Sequence, residues 1–144
     1  MKKVFLALIA LSTLAACKQA SSSNNAKADS TTTVSAANLP VMKFERETHD
    51  FGKVKSGDVV KYDFKFTNTG KSPLIITNAT ATCGCTKPDY PKSPVAPGEN
   101  GVIHVEFNST GKMGLQDKQI TITANTNPAE SRVHLIGDVT VDSK

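Results

Sequence analysis

Two cysteines one residue apart, Cys83 and Cys85, lie at the centre of the stretch Ala79 to Pro97 (ATATCGCTKPDYPKSPVAP), and their type and spacing could do chemistry. Strand alternation would bring Ile75, Thr77, Ala79, Ala81, Cys83 and Cys85 to one face. Gly84 between the cysteines invites a bulge or sharp bend, so both sulfurs are expected to point the same way. Three uses of the pair stay open. Small thiols of this kind pack as apolar groups, or close a local disulfide across a very small ring that is easily reduced. Two thiolates also suit copper(I), which prefers soft sulfur ligands and accepts linear coordination. Thiol redox chemistry is the third use, although its familiar spacing is Cys-x-x-Cys in an α/β setting.

The other candidates are weaker. His104 would strengthen a copper site as a third ligand, but the alternation of its strand puts it on the polar side. His49 and Asp50 are adjacent, and strand neighbours point to opposite faces, so a surface strand start is expected there rather than a catalytic dyad. The chain contains no nucleophile elbow, HExxH zinc motif, phosphate loop or dinucleotide fingerprint. The expectation is a non-enzymatic chain with no cofactor unless the cysteines take copper(I).

The flanking elements read as strands. In Val60 to Thr67 apolar and polar residues alternate strictly, which buries Val60, Tyr62, Phe64 and Phe66 and leaves the lysines in water. Asn68-Thr69-Gly70 is a turn signal, and Pro73 to Thr82 follows as a strand, with Leu74-Ile75-Ile76 entering the core. After the turn Pro97 to Gly101, the alternating residues are Ile103, Val105 and Phe107, then Ile120, Ile122 and Ala124, then Val133, Leu135, Gly137, Val139 and Val141. Val41 to Phe44 and Thr48 to Val54 supply one or two short strands at the start. Pro88, Pro91, Pro94 and Pro97 recur every third residue, the period of polyproline II, and predict a stiff connection that crosses between sheets. With no helical repeat, residues 39–144 predict a single immunoglobulin-like antiparallel β-sandwich of about seven strands. The chain has no Trp and its cysteines are too close together for an inter-sheet disulfide, so packing must hold the sheets.

The N-terminal region is of a different kind. Lys2 and Lys3 precede an apolar run from Val4 to Leu14 that is too short to span a bilayer, the pattern of a secretory leader over residues 1–16. It ends in Leu14-Ala15-Ala16-Cys17, which resembles the lipobox of bacterial lipoproteins and implies cleavage before a lipidated Cys17. Acyl chains contribute about 0.8 kcal/mol per buried methylene, enough for two or three to hold a domain at a membrane. Residues 17–38 are rich in Ser, Thr, Asn and Ala and read as a disordered linker, with a root-mean-square span of about 25 Å. Within it Asp29-Ser30-Thr31 resembles a bacterial O-glycosylation sequon, for which linker composition is the simpler explanation. Lys18 after the lipidated residue resembles an outer-membrane sorting signal, and no acidic surface-export cluster follows, so an outer-membrane lipoprotein facing the periplasm is expected. Loss of Lys2 and Lys3 leaves 15 of the 17 basic side chains against 13 acidic ones, a balance that gives no support for a nucleic-acid partner. Besides the membrane, an envelope protein or glycan is the expected partner.

Asp50-Phe51-Gly52-Lys53-Val54, Phe64 to Gly70, Cys83-Gly84-Cys85-Thr86, Tyr90-Pro91, Ala96 to Glu99 and Phe107-Asn108-Ser109 together resemble the bacterial domain of unknown function (DUF) family 1573. The resemblance covers nearly all of Met42 to Val141. It implies an Ig-like fold akin to major-sperm-protein and ASPM/SPD-2/hydin domains, in an exported or lipid-anchored protein, and it implies no particular activity.

Overall fold

The computed structural model describes residues 38–141; the expected leader, the Cys17 lipidation site and all but the last residue of the expected linker lie outside them. The alternating segments form eight strands: β1 (Met42–Phe44), β2 (Thr48–Lys55), β3 (Val59–Asn68), β4 (Ile76–Ala81), β5 (Thr86–Asp89), β6 (Asn100–Asn108), β7 (Gly114–Ala124) and β8 (Glu130–Thr140). They make two four-stranded sheets, β1-β3-β6-β5 and β2-β8-β7-β4, packed as the expected sandwich. Phe64 and Phe66 of β3, Ile103, Val105 and Phe107 of β6, Ile120 and Ile122 of β7, and Val133, Leu135 and Val139 of β8 fill the space between them. Burying one such side chain contributes about 2 to 3 kcal/mol. Val141 falls just past β8 and is exposed, so it does not extend the last strand's inner face.

The strand arrangement differs from expectation in three ways. One pairing, β2 with β8, is parallel. β1 and β2 run in the same direction on either side of a short link, and at that link the chain leaves the first sheet; the His134 N–H donates to the Glu47 carbonyl at 2.7 Å and starts the new pairing. A bulge between Asp50 and Lys53 interrupts it, with Gly52 in the left-handed region at φ 71°. Phe51 there packs against Gly137 of β8, where any Cβ would overlap its ring.

Second, β4 carries a bulge between Ile76 and Asn78. Leu74 and Ile76 are therefore the buried residues, while Ile75 is 44% exposed and Thr77 faces solvent. Past the bulge the expected face is regained, with Ala79, Ala81, Cys83 and Cys85 half-buried and Thr80, Thr82 and Gly84 exposed.

Third, the crossing between sheets occurs at the cysteines and not along the prolines. β4 ends one sheet and β5 ends the other, and only Thr82 to Cys85 separate them. Pro88 lies within β5, opposite Val105; an edge strand tolerates a residue without an N–H. Val95, further along, pairs with Leu74 through two backbone bonds of 2.9 Å.

Candidate functional site

The crossover holds Cys83 and Cys85 in a disulfide with their Cα atoms 5.3 Å apart. A tight turn positions them: the Thr86 N–H donates to the Cys83 carbonyl at 3.2 Å, and the Asn108 N–H of β6 donates to the Cys85 carbonyl at 2.9 Å. Thr86, the first residue of β5, is 4% exposed. Its Oγ1 lies 3.6 Å from Cys83 Sγ and 3.9 Å from Cys85 Sγ. Sequence reasoning did not single out this hydroxyl; its place directly after the cysteine pair was the available signal.

A recess of about 340 Å³ opens beside the disulfide, lined by Gly84 and Cys85 on one side and by Lys87, Asn108, Thr110 and Lys112 on the other. Glu106 also lines it and is bridged to Lys61 at 3.3 Å. Nearby, burial lowers the Lys118 ammonium below the usual lysine range, and the charge of Lys112 lowers it further. Copper(I) binding by the pair would first need the disulfide reduced to two thiolates.

The histidines lie apart from this site. His104 is exposed on the outer face of its sheet, with Nδ1 2.7 Å from Asp63 Oδ1 on the neighbouring strand. His49 turns inward and stacks on Tyr62, with ring centroids 3.5 Å apart and planes 6° from parallel. Burial, and then the charge of Arg46, hold its pKa below the ordinary histidine value. Asp50 instead accepts a hydrogen bond from the Gly52 N–H at 2.8 Å, so the two neighbours diverge. Among the described residues no group of three or more His, Cys, Asp or Glu is placed to hold a metal. No helix among them is long and apolar enough to cross a membrane.

A second feature lies at the opposite edge of the first sheet. β1 pairs with β3 only from Phe66 to Asn68, with one further bond from the Glu45 N–H to the Lys65 carbonyl at 3.0 Å. Backbone groups alternate in direction along a strand, so those of Lys61 and Asp63 point to the same side as that carbonyl. No strand is paired to that side there among the described residues. A notch of about 600 Å³, lined by Glu45, Arg46, Lys61, Tyr62, Asp63 and Lys65, occupies the vacated place.

Residues 42–139 match the family described as "Protein of unknown function (DUF1573)". The chain belongs to this family. The motifs that carried the resemblance supply both core and turn residues of the DUF1573 sandwich: Phe64, Phe66 and Phe107 are buried in its core, Asn68 and Ser109 are fully buried polar side chains, and Glu99 accepts from the Ala96 N–H at 3.1 Å.

Solved structures similar to the chain share its fold at low identity. A protein of unknown function from Porphyromonas gingivalis W83 is 18% identical at a TM-score of 0.64, covering 74% of this chain and 50% of its own. The ASH/PapD-like domain 7 of human CEP192 is 9% identical at a TM-score of 0.59, covering 77% of this chain and 92% of its own. The secreted serine protease VesC from Vibrio cholerae is 16% identical at a TM-score of 0.55, with 68% of this chain matching 23% of the protease. The chain thus spans half or less of the two bacterial proteins. No curated protein sequence matches it.

Proposed function

We propose that this DUF1573 protein is a non-catalytic binding module of the cell envelope, anchored through a lipid on Cys17 to the periplasmic face of the outer membrane. It holds an extended segment of an envelope protein along the open edge of β3. The observation that carries this reading is the shortness of β1, which leaves the edge groups of Lys61 and Asp63 beside a notch of about 600 Å³. An added strand forms main-chain hydrogen bonds there, and the flanking side chains choose among segments. Glu45, Arg46, Lys61, Asp63 and Lys65 mix both charge signs around the notch, which suits a segment of alternating polar residues. Shielding by such a partner would also remove the aggregation hazard of an unpaired edge.

The test places a photo-crosslinking residue at Arg46, in the notch, and at Asp89, on the far edge, in cells producing the full chain. Polypeptide adducts are expected from Arg46 and not from Asp89. They should disappear with Asp63→Pro, which removes the edge N–H, and persist with Asp63→Ala. Equal yields at both positions, or adducts to glycan alone, would overturn strand addition. The anchor is tested separately: Cys17→Ala should move the protein from the membrane to the soluble fraction.

A further inference from the structure

We propose that the Cys83–Cys85 disulfide is an exchange-active site that accepts two electrons from a dithiol partner, with Thr86 receiving the thiolate released from Cys83. This activity is independent of strand addition at the β3 edge, and either can fail without the other.

The disulfide is poorly suited to be a staple. It joins residues separated by 2 in sequence, and the chain entropy removed from the unfolded state falls as the closed loop shortens. The turn around it is already held by the backbone bonds of Thr86 and Asn108. It is, however, open to attack. Gly84 is exposed, nothing lies within 4 Å of where its Cβ would be, and the recess runs to Cys85. Lys87 and Lys112 line that recess while Glu106 is engaged by Lys61, so an approaching thiolate meets positive charge. Behind the disulfide the buried Thr86 hydroxyl lies nearer Cys83 Sγ, at 3.6 Å, than Cys85 Sγ, at 3.9 Å. Exchange is faster when the leaving sulfur is the less basic one, and a hydrogen bond donated to a thiolate lowers its basicity.

A thiolate of the dithiol attacks Cys85 Sγ from the recess and forms a mixed disulfide, while the electron pair of the Cys83–Cys85 bond leaves on Cys83 Sγ, which accepts a hydrogen bond from the Thr86 hydroxyl. The partner's second thiol, deprotonated, then attacks the partner sulfur of the mixed disulfide, and Cys85 departs as a thiolate. The partner ends as a disulfide, and its two protons pass to Cys83 and Cys85. A monothiol cannot complete this sequence efficiently, because Cys83 sits beside the mixed disulfide at high effective concentration and expels it.

The test uses the folded full chain without denaturant, read by mass spectrometry of the peptide that carries both cysteines, which separates their signal from Cys17. Dithiothreitol should reduce the pair at least about tenfold further than glutathione at equal thiol concentration. Under glutathione, acid quenching should trap the adduct on Cys85 with Cys83 free. Thr86→Val should slow reduction by about tenfold, the effect of losing one hydrogen bond to a charged sulfur, and Thr86→Ser should restore it. In the reduced protein, Thr86→Val should also shift the pH profile of Cys83 alkylation upward, which a purely structural role would not do. Reduction only on unfolding, trapping on Cys83, or equal rates and profiles for wild type and Thr86→Val would each overturn the proposal. If Thr86→Val fails to fold, the trapping position in the wild type still decides.

Discussion

Replacing Asn68 with Ala should destabilise the domain more than any other single loss of a polar side chain near the turns that follow β3. The side chain is fully buried and makes four hydrogen bonds. Its Nδ2 donates to the Ser72 carbonyl at 2.8 Å and the Val95 carbonyl at 3.0 Å. Its Oδ1 accepts from the Val41 N–H at 3.3 Å and the Gly70 N–H at 3.1 Å. One amide thus ties Val41, the residue before β1, to the β3–β4 turn and the connection into β6. At about 1 kcal/mol net for each bond, with the 3.3 Å bond discounted, the loss is about 3 kcal/mol. That is a large part of the 5 to 15 kcal/mol typical of whole domains. Urea unfolding of the full chain, followed by circular dichroism, would measure it as a lowered midpoint at unchanged slope. Asn68→Asp sharpens the reasoning, because it keeps the acceptor and turns the donor toward two carbonyls as a carboxylate. Burial and those carbonyls raise the folded-state pKa of this new acid above its unfolded value of about 3.9. Its penalty is therefore absent below about pH 4 and grows as pH rises toward the folded pKa. At pH 7 Asn68→Asp should be less stable than Asn68→Ala, and the order should narrow or reverse at pH 4. Both variants within about 0.5 kcal/mol of wild type, or an Asp variant indifferent to pH, would refute the assignment of Asn68 as the hub.

Other outcomes follow from the same contacts. Cys83→Ser with Cys85→Ser should leave the domain folded and cost no more than about 2 kcal/mol in thermal or urea unfolding, since so short a loop removes little unfolded-state entropy. Gly137→Ala should cost about 1 to 3 kcal/mol by overlap with the Phe51 ring. Adding Phe51→Leu should recover part of that loss, and strict additivity in the double-mutant cycle would count against the contact. The lowered pKa of His49 means the unfolded chain binds a proton more readily below about pH 6.5. Stability should fall as pH drops through that window, and His49→Phe, which keeps a ring against Tyr62, should flatten this part of the profile.

Much of the sandwich was readable because a strand's period of two is local: Phe64, Phe66, Ile103, Val105, Phe107, Ile120, Ile122, Val133, Leu135 and Val139 announced the inner faces without reference to any partner. Where a bulge breaks the period, that reading slips. Alternation puts Ile75 and Thr77 on one face with Ala79, Ala81, Cys83 and Cys85, and the shift at Ile76 to Asn78 turns these two out to solvent instead. The three-residue spacing of the prolines was equally local and misled in placement, because Pro88 was taken up by edge strand β5.

The sequence by itself determined that the chain carries an all-β domain, that Cys83 and Cys85 share a face, and that Asn68-Thr69-Gly70 ends the Val60 to Thr67 strand in a turn. Tertiary structure alone decided which sheet each strand joins, the parallel pairing of β2 with β8, and the crossover at the cysteines. It also decided the stacking of His49 on Tyr62, the recess that Lys112 shares with Cys85, and the open edge of β3. The physical reason is that alternation depends on the next two residues, whereas these contacts join positions far apart in the chain and exist only once two sheets have packed on one core.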